Sequence, residues 1–260
     1  MANLKRSAKL GNEWTGNDLA AYHITVVAKT KQQFFHMPYL PSHTHPSLVN
    51  FMNATQQDNM ADDELKKLLH FLNIALQPEP GGSEAAVINL VAKLMEKLGY
   101  NNHCRIIFIH HPFSLGICRI SLSTHIDICV INDRHEPLML VLNKKSVTMK
   151  DPEPEVIAGA IAAYAAIANN QLRDRQSIPP LPAITIPAIT MIGTCPIFYK
   201  IPVTAELCDA VRSGRYPAIK TRVPRYIPVF SGPQTVAMRS PQNRVEILAC
   251  LQAFKQFLRN

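Results

Sequence analysis

Apolar and polar positions change their period several times along this chain. Residues 61–76 (DDELKKLLHFLNIAL) predict a helix. Val87, Leu90, Val91, Leu94 and Leu98 recur at helical spacing and predict a second over 84–98, with Ser83 to cap its start and Gly99 to close its end; QPEPGG links the two. From Arg105 the period shortens. RIIFI, LGICRIS, HIDICVI and PLMLVL are short β-branched and aliphatic runs, with HHPF and NDRHE as turn material between them. HIDICVI and PLMLVL are apolar at nearly every position, the pattern of strands covered on both faces. A buried helix follows at about 153–171, opened by the acidic DPEP. IPPLPAITIPAITMIGTCPIFYKIPV is extended, and its prolines place it at edges, bulges or strand ends. A helix at 204–213, an irregular basic stretch at 214–241 and an amphipathic helix at 243–258 complete the pattern; Ile247, Leu251, Phe254 and Leu258 form the last helix's buried stripe. Upstream, WTGNDLAAYHITVV suggests a short helix and then a strand, and PYLPSHTHPSLV a loop. The expectation is a single α/β domain over 61–260, a central mixed β-sheet flanked by helices with a basic C-terminal part, and an N-terminal extension over 1–60 packed on this core.

Composition narrows the class. With 260 residues, 47% hydrophobic and 18% charged, the chain has the makeup of a globular protein and buries enough surface to fold without disulfide or metal staples. Six cysteines are scattered without a C-x-x-C pair, against zinc-finger and disulfide frameworks. The N-terminal residues lack an apolar h-region, and the longest apolar run, 156–168, falls short of the roughly 20 residues a membrane span needs. An intracellular protein, cytoplasmic or nuclear, with no signal peptide and no membrane partner is expected. The net charge is +8. Residues 201–260 carry nine basic and three acidic side chains, hence +6 of that excess, which favours an anionic partner such as nucleic acid.

The segment 124–146, THIDICVINDRHEPLMLVLNKKS, holds the candidate chemistry. Alternation puts Asp127 on one strand face with Cys129 and Ile131, and Met139, Val141, Asn143 and Lys145 on one face of the next strand. Antiparallel pairing across NDRHEP brings Asp127 near Asn143 and Lys145 at one end of the sheet. A carboxylate and an ammonium at the end of two apolar strands are costly unless they pair or serve a ligand. Glu84, on the core-facing side of its helix, can point toward the same end.

A helix bearing Glu84, a strand bearing Asp127, a strand ending in Asn143-Lys144-Lys145 and a further helix resemble the restriction-endonuclease-like fold, the PD-(D/E)XK phosphodiesterases. Over much of its length, through WTGNDL, DICVIND, DPEPEVIAGAIAAY, GTCPIFYKIPVT and LACLQAFKQFL, the chain also resembles an expanded group of proteins from mushroom-forming fungi. The resemblance implies a Mg²⁺- or Mn²⁺-dependent nuclease acting on DNA or RNA, or a degenerate descendant. Glu84 and Asp127 would hold the metal, and Lys145 would handle the attacking water. The chain departs from the family where the motif glutamate is expected: it carries Asn143, a neutral ligand at best. Glu155, in the first turn of the following helix, could replace the lost carboxylate. The catalytic candidates are therefore Asp127, Lys145, Glu84, Asn143 and Glu155, with Asp127, Glu84 and Glu155 as metal ligands. Lys144, Arg212, Arg215, Lys220, Arg222 and Arg225 are the candidates for gripping a nucleic-acid backbone. The alternative is a non-catalytic nucleic-acid-binding or protein-interaction module with the nuclease fold. A structural ion pair between Asp127 and Lys145, and helix-dipole roles for Glu84 and Glu155, are the plain readings of the same residues. His43-x-His45 reads as a loop, His110-His111 as a turn, and His125 by parity as a neighbour of Asp127. The absence of a G-x-S-x-G elbow and of a Gly-rich loop after a strand argues against serine hydrolases and nucleotide-binding folds.

Overall fold

A computed structural model describes residues 6–42, 46–54, 62–77, 84–144, 151–173, 181–230 and 232–259. The helices are α1 (Gly16–Ala21), α2 (Lys31–Phe35), α3 (Pro46–Asn53), α4 (Asp63–Ala75), α5 (Glu84–Lys97), α6 (Glu153–Arg173), α7 (Ala205–Ser213) and α8 (Pro241–Phe254). The strands are β1 (Ile24–Ala28), β2 (Ile106–Ile117), β3 (Ile120–Ile131), β4 (Pro137–Lys144), β5 (Ala183–Ile192), β6 (Cys195–Thr204) and β7 (Thr221–Tyr226). They form one mixed sheet in the order β1-β7-β6-β5-β4-β3-β2. The β1–β7 and β4–β5 pairs are parallel and the rest antiparallel. The N-terminal segment thus supplies an edge strand to the same sheet.

Each sheet face carries its own core. One face packs Ile128, Val130, Met139, Val141, Ile189, Met191 and Phe198 against α2, α3, α4, α5 and α8. The other packs Cys129, Ile131, Leu140, Leu142, Ile184, Ile186 and Ile201 against α1, α6 and α7. Alternation along each strand sends neighbours to opposite layers, which is why nearly every position of β4 is buried, as its unbroken apolar pattern predicts. Ala-rich α6 is buried along most of its first four turns. A Cβ at Gly159 would lie 2.6 Å from Ile126 Cδ1, so the missing side chain lets the β2–β3 hairpin settle on the helix.

Two expectations need correction. HHPF is no turn: residues 110–113 run within the 12-residue strand β2, and IIFI and LGI are parts of it. The reversal lies at Cys118-Arg119, whose φ values of 48° and 67° make a two-residue hairpin turn from residues without the usual Asn-Gly signature. Likewise, β5 and β6 are interior strands despite Pro187, Pro196 and Pro202. All three lie within the β5–β6 register, and they are accommodated because the ladder on the other side of each strand stops short of them. Pairing with β4 begins only at Ala188, and β7 meets β6 only at Phe198 and Tyr199, so each proline sits on a locally unpaired edge.

The hairpin carries one further irregularity. In its half nearer the turn, Phe113, Leu115 and Ile126 face the α6 layer, yet in the other half Ile107, Ile128 and Val130 face the α5 layer. Same-parity residues therefore change faces. The reversal falls at His110, in the left-handed region with φ 58°, and at Asp127, the pair missing from an otherwise continuous register. Asp127 thus lies at the break itself, and the parity argument that joined it to His125 does not hold there.

Candidate functional site

The carboxyl end of β4 is where the two layers come closest chemically. Its last two described residues point to opposite faces, and each meets the start of a different helix. Asn143 is buried; its Nδ2 donates to the backbone carbonyl of Glu84, the first residue of α5, at 3.4 Å. Lys144 Nζ lies 3.0 Å from Glu155 Oε2 in the first turn of α6. Both helices thus direct their N-terminal, partly positive ends at the end of this strand. The acids of α6 answer that potential. Glu155 is buried against Lys144, and the neighbouring Glu153 is held by Arg225 Nη1 of β7 at 2.7 Å. Burial pushes the Glu153 carboxyl up, and Arg225 opposes the shift.

Asp127 sits between these pairs, where the β3–β4 ladder ends. The last register pair is Ile128 with Val141; beyond it, Asn143 N–H donates to Asp127 Oδ2 at 2.6 Å, a side chain taking over from a backbone acceptor. His110 Nδ1, across the hairpin, is 3.9 Å from Asp127 Oδ1. Burial raises the Asp127 pKa above the usual carboxylate range, offset in part by the Asn143 N–H, Lys144 and His110. The folded state accordingly binds this proton more tightly than the unfolded chain. Stability contributed by the protonated form is lost as pH rises from the ordinary aspartate value through the raised one. Asp127→Asn, which keeps an acceptor for the Asn143 N–H, is expected to melt a few degrees higher than wild type at neutral pH and to match it in acid. Thermal melts of both proteins at the two pH values check this; a lower-melting variant at neutral pH would contradict it.

The structure brings Asp127, Asn143 and the backbone of Glu84 into one neighbourhood and joins Lys144 to Glu155. It does not gather the three proposed metal ligands. Glu84 is exposed and touches the cluster through its carbonyl, and Glu155 is committed to Lys144. Among the described residues no three His, Cys, Asp or Glu side chains are placed to hold a metal ion. Among the described residues, the donors left near the strand end are the Asp127 carboxylate and the Asn143 amide oxygen, the latter buried without a hydrogen-bond partner there. This pair does not complete a shell for a hard divalent cation, which takes six or more oxygens and favours charged ones. Lys145 lies outside the described residues, as do His43, His45, Ser83 and most of QPEPGG.

No protein-family model matches the chain, and no curated protein matches it. The site is therefore read from its own chemistry. The six basic candidates do not share one surface role. Lys144 and Arg225 serve the acids of α6. Arg212 pairs with Asp209 at 2.7 Å on α7, and Arg215 donates to Ser213 Oγ at 3.0 Å, while Lys220 and Arg222 are exposed. Sequence reasoning missed Glu153, Arg225 as its partner, and His110. The only signal for His110 was the His-His-Pro cluster inside an apolar strand pattern, which marks a break in a strand as well as a turn. No helix among the described residues is long and apolar enough to cross a membrane.

Proposed function

We propose that the chain is a nucleic-acid-binding module built on a restriction-endonuclease-like core whose hydrolytic centre has degenerated. The order α5, three-strand meander, α6 and parallel β5, with Glu84, Asp127 and Asn143-Lys144 at the positions the resemblance assigns, supports the core. The observation that carries the degenerate reading is the Lys144–Glu155 pair at 3.0 Å. The acid that could replace the absent motif carboxylate is neutralised by a lysine of the same strand end. Of the basic excess over residues 201–260, Arg244 is buried and Arg225 is held by Glu153, while exposed Lys220 and Arg222 would supply a sequence-independent attraction for phosphates.

The test is binding to single- and double-stranded DNA and RNA across a salt series, with and without Mg²⁺. The expected result is affinity that falls steeply with salt and is indifferent to the metal, with weakened binding when Lys220 and Arg222 are both changed to Gln. A protein that binds neither nucleic acid at low salt overturns the proposal.

The buried Asn143 amide oxygen beside Asp127, without a hydrogen-bond partner among the described residues, favours a second reading, a metal-dependent nuclease. Calorimetric titration with Mg²⁺ and Mn²⁺, with cleavage assays beside it, separates the two: binding and cleavage that vanish in both Asp127→Ala and Glu155→Ala establish the nuclease, and no metal binding to wild type overturns it.

The ion pair makes its own prediction. Lys144→Met leaves Glu155 buried without its partner and is expected to lose about 1–2 kcal/mol, a figure reduced for the partial exposure of the lysine. The double change Lys144→Met with Glu155→Leu should recover most of it in denaturant unfolding. A double variant as unstable as the single would show that the pair is not what holds the α6 start to β4.

A further inference from the structure

We infer that the outer edge of β2 is a self-association surface, on which a second copy of this chain adds its own β2 antiparallel to form one continuous sheet across a two-fold axis. The sheet ends in two very different strands. β1 is short, five residues, and is followed at once by Lys29 and Lys31, the length and charge by which natural edges resist pairing. β2 is 12 residues long, and no described strand pairs with its outer side. It leaves Ile106 49%, Phe108 40% and Ile109 43% exposed, large apolar side chains close together along this edge, with Ile109 on the face opposite the other two by alternation.

Charge decides the occupant. In a chain carrying +8, two copies repel at most faces, yet residues 106–117 contain no Asp, Glu, Lys or Arg. A copy laid along this edge meets no like charge there, and a strand with no charges has nothing to select an acidic or basic partner. Antiparallel pairing of a strand with itself is also automatically self-complementary, as a two-fold interface requires. The axis must stand perpendicular to the sheet, so paired residue numbers sum to an even value. Centred on Phe108, such a ladder sets the two Phe108 rings side by side and Ile107 of each copy against Ile109 of the other. Bulky apolar cross-strand pairs then cover both faces. The left-handed His110 and Pro112, which has no N–H, end the ladder at both ends by the two-fold symmetry, so the pairing is short and the association correspondingly weak.

Sedimentation velocity over a concentration series at low and high salt tests this. The expected result is a mass moving toward twice that of the chain as concentration rises, and moving further at high salt, where repulsion between copies is screened and apolar burial is not. Ile109→Lys, at an exposed position, is expected to weaken association about tenfold by placing like charges beside the axis. Val229→Lys, which adds the same charge at another exposed apolar residue, should leave association unchanged; comparable far-ultraviolet spectra of the variants exclude misfolding. A monomer at every concentration, association that weakens with salt as nucleic-acid bridging would, or equal effects of the two lysines would each overturn the inference.

Discussion

Gly193→Ala is expected to cost about 3 kcal/mol of folding stability, roughly 1 from a side chain in left-handed backbone and roughly 2 from forced displacement of a packed neighbour. Gly193 has φ 56°, and a Cβ there would lie 2.2 Å from the carbonyl oxygen of Thr235. That oxygen cannot swing aside: it accepts from Thr194 N–H at 3.0 Å, and Thr194 Oγ1 in turn accepts from Met238 N–H at 3.0 Å. Gly193 N–H also donates to the Lys144 carbonyl at 3.0 Å, so the displacement is transmitted to the strand end that carries the candidate site. Gly232→Ala is the matched control. It shares a left-handed φ, 96°, but a Cβ meets nothing within 4 Å, and only the backbone part of the loss is expected. Denaturant unfolding of the two variants separates strain from collision; equal losses would refute the collision.

Arg244→Met is expected to cost a further large amount, about 3 kcal/mol, because it strands buried carbonyls while keeping the volume. Arg244 is 3% exposed on α8. Its Nη1 donates to the Phe51 carbonyl, its Nη2 to the Ala54 carbonyl at 2.6 Å, and its guanidinium lies 5.2 Å from the Phe51 ring centroid. These carbonyls belong to the open C-terminal end of α3, where a cation is favoured and every unpaired acceptor needs a donor. Burial lowers the Arg244 pKa, yet an arginine so placed stays charged. Arg244→Lys, with one compact ammonium for two diverging carbonyls, should recover only part of the loss. Unfolding midpoints with unchanged denaturant slopes are the measurement, and a midpoint equal to wild type for Arg244→Met would show that α3 does not depend on this anchor.

Arg244 also shows where charge counting stops being informative. The basic excess of the last 60 residues is legible in the sequence, but Arg244 caps a helix inside the core and Arg225 neutralises Glu153. Composition records how many cations there are, and burial decides which of them meet solvent. The elements with a sustained period were legible: α4, α5, α6, α7 and α8 fall close to the expected helices, and β4 lies in the run that is apolar at every position but its end. What the pattern hid came from long-range pairing. Prolines in β5 and β6 argued against interior strands because a sequence does not show that the neighbouring ladders begin beyond them. The site was legible as a neighbourhood of Asp127 and Asn143. The Lys144–Glu155 pairing was not, since it depends on which face β4 turns toward α6, and a one-residue shift would exchange Lys144 with its neighbours.

The reversal of alternation at His110 and Asp127 gives the long hairpin two allegiances. The half nearer the turn packs on the α6 layer, and the other half sends Ile128 and Val130 to the α5 layer and Cys129 and Ile131 to the α6 layer. The change of face is confined to His110 and Asp127, so a substitution that restored regular alternation there would turn the apolar residues of one half toward the wrong layer.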